Sequence, residues 1–74
     1  MVKEDIVNAL IKVLHDVGEY EAVRIAAADG LGYSGFSVSA RTALLRTAED
    51  KGESQQIRAS AIRALGHTVH TTKP

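Results

Sequence analysis

Val23-Arg24-Ile25-Ala26-Ala27-Ala28-Asp29-Gly30-Leu31-Gly32 returns 34 residues later as Ile57-Arg58-Ala59-Ser60-Ala61-Ile62-Arg63-Ala64-Leu65-Gly66. Arg24, Ala27, Leu31 and Gly32 are identical to Arg58, Ala61, Leu65 and Gly66. The register extends backward without a gap. Ala9-Leu10 falls on Ala43-Leu44, Asp16 on Asp50, and Gly18-Glu19 on Gly52-Glu53. Nine of the 25 pairs from 9/43 to 33/67 are identical, where unrelated sequence would give about two. A fixed period of this size marks a repeat array.

Each period divides into two helices. At about 100° per residue, Ile6, Val7, Ala9, Leu10, Ile11, Val13, Leu14 and Val17 fill one arc about 200° wide. Glu4, Asp5, Asn8, Lys12, His15 and Asp16 fill the rest. Gly18 is placed to stop this helix at its C-terminus. The second helix begins near Glu19, whose charge suits a helix N-terminus. It sets Val23, Ala26, Ala27, Gly30 and Leu31 on one face and ends at Gly32. Small residues there let a neighbour come close. Ala27 is expected inward and Ala28 outward.

Tyr33-Ser34-Gly35-Phe36-Ser37 links the repeats. Ser37 or Ser39 is the expected N-cap of the third helix. That helix runs to about Asp50, with Ala40, Ala43, Leu44, Leu45 and Ala48 inward. Ser54 caps the fourth, which turns Ile57, Ala61, Ala64 and Leu65 inward and closes at Gly66. The expected fold is all-α: two stacked helical hairpins forming a short right-handed α-solenoid. Repeat one spans about 4–32 and repeat two about 38–66, within one domain over 1–66. Residues 67–74 read as a polar tail.

The two quoted segments resemble the second helix of HEAT-like repeats of the phycobilisome-lyase type. That pattern is Val/Ile-Arg, two residues, Ala, three residues, Leu-Gly, and both copies keep it. The resemblance covers about residues 4–66. It implies a protein-binding scaffold. Within that family some members are bilin lyase subunits, some help dismantle light-harvesting antennae, and some are hydroxylases with a di-iron site. The resemblance also implies an Arg–carboxylate ladder between helices, which here would pair Arg24 with Asp16 and Arg58 with Asp50.

Composition removes several function classes. There is no cysteine, so disulfides, thiolate chemistry and a Cys-built metal site are excluded. Lys plus Arg and Asp plus Glu number nine each, which argues against a general nucleic-acid or membrane-surface binder. No apolar run approaches the ~18 residues needed to span a bilayer. Met1-Val2-Lys3-Glu4-Asp5 lacks the ordered regions of a signal peptide, so a soluble cytoplasmic protein is expected.

The polar side chains suggest little chemistry. His67 and His70 have the i, i+3 spacing that a helix could use for a metal, but they fall in the expected tail without a carboxylate or thiol nearby. By the resemblance, the hydroxylases rely on His-Glu pairs. The single His15-Asp16 pair cannot supply a dinuclear site. Ser37, Ser39 and Ser54 read as helix caps, since nucleophilic catalysis needs an aligned base. No catalytic residue, metal or cofactor is therefore expected, and the chain does not read as an enzyme.

The apolar surface is more informative. A helix packed on one side needs a stripe of about 100° or a little more, and the first helix has twice that. Either it packs on both the second and third helices, or Val7, Ile11 and Leu14 form an association face for a partner, a second copy or further repeats. Ile25, Ala28, Asp29, Ala59, Ile62 and Arg63 are the expected partner-binding residues, on the surface of the second and fourth helices.

Charge is uneven along the chain. Residues 1–37 carry Lys3, Lys12 and Arg24 against Glu4, Asp5, Asp16, Glu19, Glu21 and Asp29, a net of −3. Residues 38–74 carry Arg41, Arg46, Lys51, Arg58, Arg63 and Lys73 against Glu49, Asp50 and Glu53, a net of +3. That asymmetry suits head-to-tail steering between copies or an acidic partner. The leading expectation is a protein-interaction scaffold with a protein partner, as a homo-oligomer or part of a longer array. One alternative is an accessory subunit of a bilin lyase-type or other multi-chain enzyme. Another is nucleic-acid contact through Arg41, Arg46, Arg58 and Arg63.

Overall fold

The computed structural model describes residues 2–71, the last of them by its backbone only. Four helices follow in order: α1 (Lys3–Leu14), α2 (Glu21–Leu31), α3 (Val38–Glu49) and α4 (Gln55–Thr71). Among the described residues there is no strand. α1 pairs with α2 and α3 with α4, so the chain folds as two helical hairpins. These meet mainly where α2 packs on α4, with α1 touching α3. The molecule measures 34 × 25 × 16 Å. Packed helices sit about 8–10 Å apart, so the thinnest dimension has room for two helix layers and no more.

Local chemistry sets the helix ends. Of the two candidates for α3, Ser37 is the cap and Ser39 lies inside the helix, while Ser54 caps α4. The Ser37 Oγ accepts from the Ala40 N–H at 3.2 Å, and the Ser54 Oγ from the Ile57 N–H at 3.2 Å. Val2 and Tyr20, the residues before α1 and α2, provide no side-chain cap. The two hairpin turns are copies of each other. Asp16 Oδ1 accepts from the Gly18 N–H and Asp50 Oδ1 from the Gly52 N–H, both at 2.9 Å. The Glu19 and Glu53 N–H groups donate to the carbonyls of Asp16 and Asp50, both at 3.0 Å. A short side chain that hydrogen-bonds its own backbone two residues on offers the chain an alternative to the helix.

Two helix ends differ from expectation. α1 ends at Leu14 rather than at Gly18 because the Asp16 turn takes over first, leaving Val17 exposed. Gly18 is not in the left-handed region that a glycine stop uses. α4 does not close at Gly66. It runs through His67-Thr68-Val69-His70 to Thr71, and Thr68 is buried, so this part of the expected tail is helix. Residues 72–74 of that tail lie outside the described residues.

The core is one cluster built from Val7, Leu14, Ala27, Ala28, Leu31, Ala40, Leu44, Ala48, Ile57, Ala61 and Ala64. Six of these eleven are alanines, so the helices can approach closely, and burial of the larger Leu, Ile and Val side chains supplies most of the hydrophobic gain. Val7 and Leu14 are fully enclosed by the chain itself, and Ile11 packs against the same cluster. The expected association face on α1 is thus largely internal: its wide arc serves both α2 and α3. The remaining part of the arc, Ile6, Ala9 and Val17, stays exposed, as do Val23 and Ala26 on α2 and Leu45 on α3. These six were expected inward, whereas Ala28, expected outward, is fully buried.

Candidate interaction surfaces

Arg24 is the best-anchored polar side chain. Its Nε donates to the Leu14 carbonyl at 2.8 Å, closing the open C-terminal end of α1. Its terminal nitrogens grip both oxygens of Glu53: Nη1 reaches Oε1 at 3.1 Å, and Nη2 reaches Oε2. The bidentate pair crosses from the first hairpin to the turn of the second, with side chains 8% and 15% exposed. Such forks are stronger and more directional than single charged contacts. The Arg24 guanidinium holds the Glu53 carboxyl below its ordinary value. Partial burial pushes the other way, and the Ser54 N–H, at 3.1 Å, adds to the lowering.

Arg58 adopts the same pose one repeat later. Its Nε donates to the Ala48 carbonyl at 3.0 Å. Among the described residues no carboxylate lies within ion-pairing distance of it. The expected pairs Arg24–Asp16 and Arg58–Asp50 are not formed, because both aspartates are held by their own turns. Both arginines instead close the end of the preceding helix, and Arg24 alone reaches on to a carboxylate of the second hairpin.

The expected partner-binding residues divide. Ala28 is fully buried between the hairpins and unavailable to a partner. Ile25 is half-buried and packs on the core, and Ala59 is half-buried. Asp29, Ile62 and Arg63 are exposed. Asp29 and Arg63 line one open cleft of about 280 Å³ with Tyr33 and His67. The Tyr33 and His67 rings stack there, with centroids 5.7 Å apart and planes 27° from parallel. Those two ring residues were missed as a site, although they hold equivalent positions of the 34-residue register.

Another cleft, of about 470 Å³, runs along the turn ends of the hairpins. It is open and lined by His15, Val17, Arg24, Arg46, Thr47, Glu49, Asp50 and Glu53. His15 Nε2 lies 3.4 Å from the Thr47 hydroxyl, but that hydroxyl donates to the Ala43 carbonyl at 3.0 Å. In this arrangement the Thr47 hydroxyl bonds back onto the α3 backbone, with His15 beside it. Among the described residues no three His, Asp or Glu side chains converge as metal ligands. The four basic residues considered for nucleic acid are dispersed. Arg41 binds the Gly35 carbonyl, Arg58 the Ala48 carbonyl, Arg46 lines the large cleft and Arg63 the smaller one. No described helix is long and apolar enough to cross a membrane.

Comparison of the chain with protein-family models, with characterised proteins and with solved structures finds no match.

Proposed function

We propose that the chain is a protein-interaction scaffold module: two HEAT-like repeats stacked as a short right-handed α-solenoid, acting by binding rather than by catalysis. The observation that carries this reading is the α2–α4 cleft. It is open, holds one acidic and one basic side chain, Asp29 and Arg63, and has a stacked Tyr33–His67 floor. Exposed aromatic surface next to opposite charges is the composition of a recognition site, where rings supply area and the charges supply specificity.

The test is affinity capture with cross-linking, comparing the native chain with Asp29→Arg and Arg63→Glu. A reproducible set of captured proteins lost with both variants, and retained with the exposed control Lys12→Glu, supports the assignment. Capture that ignores the cleft variants would refute it.

A further inference from the structure

The internal symmetry of the chain shows what each open end lacks. Ile57 of α4 is 2% exposed because the first hairpin covers it, whereas its equivalent in α2, Val23, is 41% exposed. Ala28 of α2 is 0% exposed because the second hairpin covers it, whereas its equivalent Ile62 is 57% exposed. The same holds for Ala40, buried, and Ile6, open. Leu31 is fully buried and its equivalent Leu65 only partly so. Ile6, Ala9, Val23 and Ala26 therefore form an open face on the first hairpin. It corresponds to the face of the second hairpin that is buried in the fold. Leu45 and Ile62, beside the half-buried Leu65, lie open at the other end.

Both ends also carry half of a pair that is complete in the middle. Glu19 occupies the place of Glu53, on a turn with the same hydrogen bonds. Its Oε1 accepts from the Tyr20 N–H at 3.0 Å, just as Glu53 accepts from Ser54 at 3.1 Å. Arg58 occupies the place of Arg24 and is held by the same carbonyl anchor. One end thus presents a positioned carboxylate and the other a positioned guanidinium, on halves of net charge −3 and +3.

We propose that these two faces bind each other between copies: the chain associates head to tail, repeating between molecules the contact that joins its own hairpins. Arg58 of one copy meets Glu19 of the next, and Ile62 of one copy packs where Val23 of the next lies open. A heterologous contact of this kind does not close at two copies, so assembly continues into a ring or filament. The inference goes beyond the scaffold reading, since it concerns the end faces and not the Asp29–Arg63 cleft.

Sedimentation over a concentration series is the test. The native chain is expected to grow past a dimer as concentration rises, and to shrink again in high salt. Val23→Glu and Ile62→Glu each block one face at an exposed position, so the fold survives and each variant alone stays monomeric. Mixed, they retain one good face apiece and should form a dimer that grows no further. Charge exchange gives a second readout: Glu19→Arg and Arg58→Glu each weaken association at least about tenfold, and their mixture restores it. A native chain that is monomeric throughout, a closed dimer indifferent to these variants, or a mixture of the two blocked variants that stays monomeric would each overturn the proposal. Capture that still depends on Asp29 and Arg63 in a monomeric chain would leave the scaffold reading standing.

Discussion

Gly32 lies against Ala64. A Cβ at Gly32 would stand 3.1 Å from both the Cα and the Cβ of Ala64 and 3.2 Å from its carbonyl oxygen. The end of α2 thus approaches the backbone of α4 so closely that a methyl group at Gly32 would require Ala64 to give way by a few tenths of an ångström. Gly66 occupies the equivalent position in α4, yet a Cβ there meets nothing within 4 Å. Gly32 has ordinary helical dihedrals, so its requirement is space and not conformation.

The two glycines should therefore respond to alanine with opposite signs. Gly32→Ala pushes the hairpins apart and is expected to cost about 1–3 kcal/mol, as overpacking does. Gly66→Ala sits in a helix interior with free space around it and should stabilise by up to about 1 kcal/mol. Urea unfolding midpoints of the two variants check this. Shifts of the same sign would refute the close approach.

Ala28 and Ala26 make a second contrast on one helix. Ala28 is enclosed and Ala26 exposed. Ala28→Leu is expected to destabilise by about 1–3 kcal/mol, while Ala26→Leu should stay within about 0.5 kcal/mol of the native chain. Thermal melts at low concentration, where association does not contribute, separate the two.

Acid should weaken the molecule through Glu53. Its carboxyl is held below its ordinary value in the fold, so its contribution is complete above the unfolded value of about 4.3 and is lost as pH falls through the lower folded value. Glu53→Gln should flatten the pH dependence of stability in that range and lower stability at neutral pH. Arg24→Ala should cost about 1–3 kcal/mol, since it removes the bidentate partner of a part-buried carboxylate. The double variant should cost less than the sum of the singles. Full additivity would mean that the pair does not couple the hairpins.

Helix number, hairpin pairing and the two serine caps were legible from periodicity and turn chemistry. The buried set was legible only in the interior. A helical wheel shows that Val23, Ala26, Ala27, Gly30 and Leu31 share a face, but not whether a neighbour exists to cover it. In α4 the equivalent Ile57, Ser60, Ala61 and Ala64 are buried, whereas in α2 Val23 and Ala26 face outward. The cleft was half legible: Asp29 and Arg63 were among the expected partner-binding residues, whereas Tyr33 and His67 meet only through the packing of α2 on α4. The Arg24 partner was not legible. Asp16 is nearer in sequence, but its own turn holds it, and the carboxylate that reaches Arg24 comes from 29 residues away.

Ser37 does more than cap α3. The hydroxyl that accepts from the Ala40 N–H also donates to the Glu4 carboxylate, at 3.2 Å, in the first turn of α1. One oxygen therefore stitches the start of the chain to the start of its second half. Terminal turns without a side-chain cap fray first, and α1 is such an end, so this stitch decides how far its fraying spreads. With Ser37 in place, amide exchange should be quickest in the first turn of α1 and slow in α3 and α4. Ser37→Ala releases both helix starts at once, and fast exchange should then reach the first turn of α3 while the amides of α4 keep their protection.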